Sequence, residues 1–214
     1  MYAMVKRRPR LSREGILDAA LELVAREGLD ALTMRALAAE LGAAPMALYT
    51  HVRTKDELLG GVLDRILGLL AFTPDPSRPW TDDLADLARA HHAVLLAHPE
   101  AVPALVTNPN PGLGATRIGE LALEVLRRGG LEGAAAVSAF TTLVAYNYGF
   151  ASFEAAARRP GALDPRRLRA ELESLPEQDF PLTVGAAAAM ADYASAARYE
   201  AGLERLIAGL SRRP

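Results

Sequence analysis

The stretch GLDALTMRALAAELGAAPMALYTHV, residues 28–52, decides the fold. Gly28 stops a preceding apolar-periodic run. Thr33 then supplies a hydroxyl where a helix N-cap belongs, with Leu32 and Leu37 in staple positions. This second helix is expected to run through Leu41 and to end at Gly42. Pro45 sits in the first turn of a third, very short helix ending near His51, a place where proline is tolerated. Working outward, Ser12 caps a first helix whose buried stripe is Ile16, Leu17, Ala20, Leu21, Leu23 and Val24. Downstream, Thr54-Lys55-Asp56-Glu57 reads as a capping box that opens a fourth helix through Leu70.

The remainder keeps the same helical period and shows no alternating β-branched runs, so the expected fold is all-α. Thr73 to Pro79 reads as a linker turn. Helices are expected from Thr81 to about Ala97, from Glu100 to Val106, through Ile118 to Leu126, and from about Glu132 to Arg158. Pro160 to Pro181 is a looser segment with one helical patch, and a single last helix is expected from Leu182 to Leu210.

With 214 residues, half of them apolar and 23% charged, the chain has the composition of a globular protein. It contains no cysteine, which excludes disulfides and thiolate chemistry. No apolar run reaches the ~20 residues a membrane span needs, and no apolar segment follows the basic N-terminus, so a cytoplasmic location without membrane partners is expected. The net charge of −2 hides an asymmetry: residues 1–55 hold nine basic and six acidic groups, so the rest carries about −5. A basic head on an acidic body fits a nucleic-acid-binding module joined to a different domain.

Three short helices with a tight glycine turn before the third form a helix-turn-helix. One short helix carried on two others fits the DNA major groove, while its neighbours hold phosphates. The segment from Gly28 to Gly42, then Leu48-Tyr49-Thr50-His51-Val52 and Lys55-Asp56-Glu57-Leu58, closely resembles the DNA-binding domain of the tetracycline-repressor (TetR) family. The resemblance covers about residues 12–60. It implies a helix-turn-helix DNA-binding domain over residues 1–55 and a helical ligand-binding and dimerisation domain over 56–214. It further implies a ligand-responsive transcriptional repressor that, as a homodimer, binds a palindromic double-stranded operator and is released by a small apolar effector.

Carried over by position, Thr33 would touch phosphate and Arg35 would reach toward a base. Pro45, Met46, Ala47 and Thr50 would face the groove; Tyr49, His51 and Lys55 would meet phosphates, and Leu48 would anchor the helix. Ala44 departs from the family's usual serine or threonine cap. The basic residues Lys6, Arg7, Arg8 and Arg10 form an arm that is either a solvated tail or a phosphate or minor-groove contact.

In the body, polar groups within apolar helices mark candidate effector contacts: His91, Phe140, Tyr146, Asn147 and Phe150. His91 and His98 lack a carboxylate at helical spacing, so neither a metal nor another cofactor is expected. The alanine-rich stretch Ala186 to Ala197, with Tyr193, Ala196, Tyr199, Leu203, Leu206 and Leu210, gives a stripe suited either to a partner helix or to the chain's own core. Gly60-Gly61 lies inside the fourth helix and is expected to act as a hinge between head and body. No phosphate loop, nucleophile elbow, zinc motif or triad is present, so the chain is not expected to be an enzyme. The rival reading is a helical small-molecule-binding or enzyme-like protein with no DNA role.

Overall fold

A computed structural model describes residues 11–108, 112–162 and 164–211, and the basic arm at residues 6–10 lies outside them. Among the described residues every regular element is a helix. None is long and apolar enough to cross a membrane. Two compact units form. The first holds the described residues up to Leu69 together with Pro103–Thr116, and the second holds Leu70–Val102 and the described residues from Arg117 onward.

The first unit opens with α1 (Arg13–Glu27), capped by Ser12, whose Oγ accepts from the Gly15 amide at 3.1 Å. Such a cap is worth about 1 kcal/mol. After a single 3-10 turn, Thr33 caps α2 (Met34–Glu40), its Oγ1 accepting from the Ala36 amide at 3.1 Å. Gly42 takes a left-handed φ of +60°, which a side-chain-bearing residue adopts only under strain, and this turns the chain into α3 (Pro45–Leu48). Ala44 gives α3 no side-chain cap. Regular helix stops at Leu48, earlier than the sequence suggests, because the amides of His51 and Val52 both return to the Leu48 carbonyl in a tight turn. Thr54 starts α4 (Lys55–Gly68) and accepts from the Glu57 amide at 3.0 Å. Glu57 reaches back to the Arg53 amide at 2.9 Å, one residue beyond the usual capping-box partner.

Helices α1 and α4 pack against each other around Ile16, Leu17, Leu63 and Ile66. Gly61 sits at their closest approach: a Cβ there would lie 2.5 Å from Leu17 Cδ2. This contact gives Gly61 a packing role, whereas a Cβ at Gly60 would meet Asn108 Nδ2 at an ordinary 3.8 Å. Further along the chain come α5 (Trp80–Ala97), α6 (Val102–Thr107) and α7 (Leu113–Arg128). The start of α7 seats on α4 in the first unit, the Gly114 amide donating to the Asp64 carboxylate. A Cβ at Gly112 would lie 2.8 Å from Asp64 Cγ, and one at Gly114 would meet the Asp64 carbonyl. Only glycine admits this approach.

The second unit is built on α5, α8 (Gly133–Ala157) and α12 (Ala196–Ser211), joined by the later turns of α7. Leu84, Ala88, Val125, Leu126, Leu143 and Leu203 form one core. The proline-rich segment read as a linker is an ordered turn closed by Arg128. Its guanidinium donates to the carbonyls of Asp75 and Arg78, at 3.1 and 2.7 Å, and to the buried carboxylate of Asp83. Asp83 also accepts from the Asp75 amide at 2.9 Å.

Helix α9 (Pro165–Glu173) packs on α10 (Pro181–Gly185) and α11 (Ala187–Ala191). The expected single last helix is therefore broken in two places. Ser195 sets the second break: its hydroxyl donates to Asp192 at 2.9 Å, and its carbonyl accepts from Arg198 and Tyr199 to start α12. Alanine's helix propensity yields here to a local side-chain turn and to packing on α9. Of the apolar stripe, Tyr199 and Leu203 are buried in the chain's own core and Leu206 and Leu210 pack against it, while Tyr193 is exposed.

Candidate functional site

In the head, α3 turns one side chain inward and the rest outward. Leu48 is fully buried, while Met46 is 74% exposed and Tyr49 42% exposed. Thr33, Arg35, Pro45, Thr50 and Lys55 are exposed as well, and Ala47 and His51 are partly buried. The nine nominated residues lie at the N-cap and first turn of α2, on α3 with its following turn, and on the first residue of α4. Thr50 donates its hydroxyl proton to the Ala47 carbonyl at 2.7 Å, so only its oxygen lone pairs are left for an outside donor. Thr33 is the reverse case: its oxygen caps α2, and its proton remains free to donate.

The cations of the head divide into two sets. Arg13, Arg26 and Arg65 are engaged by Glu57, Glu40 and Asp18. No ion pair among the described residues involves Arg35, Arg53 or Lys55. These three offer charge to a polyanion without first breaking a pair. Sequence reasoning counted Arg53 in the charge balance and did not nominate it; its place between the α3 turn and the Thr54 cap is the signal available.

In the second unit, α5, α7 and α8 enclose a small apolar cavity. Leu84, Leu87, Ala88 and His91 line it from α5; Phe140, Leu143, Val144 and Asn147 line it from α8; Ile118 and Ala122 line it from α7. Both of the longer sets follow i, i+3, i+4, i+7 spacing, which puts His91 and Asn147 on cavity-facing sides. That spacing was legible in the sequence, and the five aliphatic lining residues of α5 and α8 follow from it. Of the five nominated residues, His91, Phe140 and Asn147 come together here. Tyr146 and Phe150 do not line the cavity. They pack with each other at 4.8 Å and against Tyr199, and the Tyr146 hydroxyl donates to the Tyr199 carbonyl at 2.6 Å.

Asn147 is the polar centre. Its Nδ2 donates to the Ala88 carbonyl at 3.0 Å and meets His91 Nδ1 at 3.1 Å, while its Oδ1 accepts from the Tyr199 hydroxyl at 3.0 Å. Burial lowers the His91 pKa to about 4, with the neighbouring His92 adding to the shift. His92 stacks on Tyr199 at 3.9 Å and lies 3.3 Å from the Glu154 carboxylate. Distance alone would make this an ion pair. Burial instead takes the His92 pKa down to about 4 and pushes the Glu154 carboxyl up, so the imidazole is uncharged at neutral pH and the contact is not an ion pair. Among the described residues no three histidine, cysteine, aspartate or glutamate side chains group as a metal site.

The depressed His91 pKa has a signed consequence. Above the unfolded value of 6.5 both states hold a neutral imidazole, and stability is at its full level. As pH falls, the unfolded chain takes up the proton first, so stability is lost between 6.5 and about 4. The expected loss from His91 is up to about 3 kcal/mol. Urea melts across this range, compared with those of His91→Phe, check it: the variant should show a shallower acid decline.

Known proteins match both parts of the chain. A family model for the bacterial regulatory proteins of the tetR family matches residues 16–62, and one for the tetracyclin repressor-like C-terminal domain matches residues 73–213. An HTH-type transcriptional regulator of Saccharopolyspora erythraea is 31% identical over 95% of this chain and 86% of its own length. The class A tetracycline repressor from transposon 1721 of Escherichia coli is 28% identical over 95% of this chain and 92% of that protein. The crystal structure of ActR from Streptomyces coelicolor in complex with actinorhodin superposes with a TM-score of 0.83 at 34% identity, covering 94% of this chain and 97% of ActR. With a capped helix-turn-helix head, an all-helical body and these matches along its length, the chain belongs to the tetR family of DNA-binding transcriptional regulators.

Proposed function

We propose that the chain is a cytoplasmic, homodimeric repressor that occupies a palindromic operator and leaves it when a small apolar molecule enters the α5–α7–α8 cavity. Residues 1–55 read DNA in this scheme, and residues 56–214 hold the effector and the partner subunit. The observation that carries it is the arrangement of α3: Leu48 is buried in the head, and Met46, Tyr49 and Thr50 remain exposed beside the unengaged cations Arg35, Arg53 and Lys55. Few hydrogen-bonding groups face outward, so Arg35, methyl contacts and DNA shape carry much of the readout.

The outer face of α8 supports a partner subunit. Ala134, Val137, Ser138, Thr141, Ala145 and Ser152 are exposed on it without a charge among them, and Phe153 is exposed near its end. A two-fold protein matches a two-fold site. The test is selection of bound genomic fragments by purified protein, followed by salt titration on the enriched site. A palindrome with two half-sites is expected. In the dimer, Lys55→Ala should flatten the log affinity against log salt slope by about 2, one phosphate contact per subunit. Failure to enrich any site at moderate salt would defeat the proposal.

A further inference from the structure

The three hydrogen bonds at Asn147 fix more than the asparagine. The Ala88 carbonyl accepts only, so it requires the amide nitrogen of Asn147 on its side, and the Tyr199 hydroxyl then donates to Oδ1. With that orientation, the second proton of Nδ2 points to His91, whose Nδ1 must accept it. A neutral imidazole that accepts at Nδ1 carries its proton at Nε2. The hydrogen bond on the His91 ring among the described residues is at Nδ1, which leaves Nε2–H unengaged there, and His91 lines the cavity. A donor on the wall of an apolar cavity is placed to serve an acceptor that enters it.

The other walls narrow the chemistry further. Leu84, Ala88, Ile118, Ala122, Leu143 and Val144 are aliphatic, and among the described residues no lysine, arginine, aspartate or glutamate lines the cavity. A charged ligand entering it would lose its hydration with no counter-charge to replace it. The imidazole does not supply that charge, because burial keeps His91 neutral above a pH of about 4. The cavity has only about 20 Å³ of room, so any effector larger than water must part the helices that line it.

We infer that the effector is an uncharged, largely hydrocarbon molecule with a carbonyl-type oxygen, which accepts a hydrogen bond from His91 Nε2–H. The inference rests on the reading of this cavity as the effector site. His91 is thereby the residue that selects between a ketone and the hydrocarbon of the same shape. Asn147 is a positioning residue that holds the tautomer.

Calorimetric titration with three matched probes tests it: 1-tetralone, tetralin (the same frame without the oxygen) and the anion 1,2,3,4-tetrahydro-1-naphthoate. Hydrophobicity alone favours tetralin, so the readout is the tetralin-to-tetralone Kd ratio in each protein. His91→Phe should lower that ratio roughly tenfold, the worth of one hydrogen bond, and His91→Gln, which keeps an N–H donor, should recover part of it. The anion should not bind, and Ala122→Phe, which fills the cavity, should abolish binding of both neutral probes.

An unchanged ratio in His91→Phe, with binding still lost in Ala122→Phe, overturns the inference and leaves the cavity as the effector site. Binding of both probes that ignores Ala122→Phe overturns the cavity reading and the inference with it. Binding of the anion at the ketone's affinity, or no binding of the ketone, also overturns the inference. Long-range proton–nitrogen spectra of histidine-labelled wild-type protein supply a test that needs no variant. At neutral pH they should show His91 as the Nε2–H tautomer, and an Nδ1–H tautomer or a charged ring overturns the inference.

Discussion

Replacing Arg128 by methionine is expected to lower the unfolding free energy by about 3 kcal/mol, the lower part of the range for breaking a buried ion pair. The lower part applies because the Arg128 side chain is 20% exposed and water screens it in part, whereas Asp83 is 1% exposed. What the substitution leaves behind is the larger cost. Asp83 keeps one amide donor, from Asp75, and the Arg78 guanidinium 3.7 Å from its other oxygen, and loses the guanidinium hydrogen-bonded to it. The Arg78 carbonyl loses its guanidinium donor in the same step, and the Asp75 carbonyl is left with the Arg78 amide. Urea melts at neutral pH read the change. Because the damage lies in the stranded carboxylate, adding Asp83→Leu to Arg128→Met should recover much of it. A double variant no more stable than the single one would show that the carbonyl contacts carry the turn instead.

Leu48→Ala is expected to cost about 2–5 kcal/mol by leaving a cavity beneath α3, and to weaken operator binding at least tenfold. Helix α3 has four residues and no side-chain cap, so its hold on the head depends on this one buried side chain. Met46 supplies the control: with 74% of its surface exposed, Met46→Ala should change stability by less than about 0.5 kcal/mol while still reducing operator affinity. Thermal melts and operator titrations on the two variants separate an anchor from a reader. Equal stability losses at the two positions would refute the assignment.

What the sequence makes legible here is what neighbouring residues decide. The caps at Ser12, Thr33 and Thr54 each act over three residues, and all three stand where the pattern places them. The spacing that brings His91 and Asn147 to one cavity is also a property of single helices. The bond from Tyr199 to Asn147 is different, since it joins residues 52 apart in the chain, and helical period alone leaves Tyr199 as one more stripe residue. The break before α12 escaped because alanine favours helix, while the Ser195–Asp192 bond and the packing of α11 on α9 interrupt it. Gly61 carries the same lesson, because a glycine within a helix looks like a weak point until the neighbour pressed against it is seen.

The seat that Asp64 forms for Gly112 and Gly114 bears on how such regulators exchange parts. The unit that contains α1 to α4 also contains Pro103–Thr116, so no single cut in the chain releases it whole. A chimera joined at residue 69 would place a donor α4 against the recipient's own segment 103–116, and one added methyl at position 112 or 114 would collide with residue 64. Positions 64, 112 and 114 thus form one packing set. Recombination between relatives should keep the set intact, and a grafted head should function only when the two glycines travel with it.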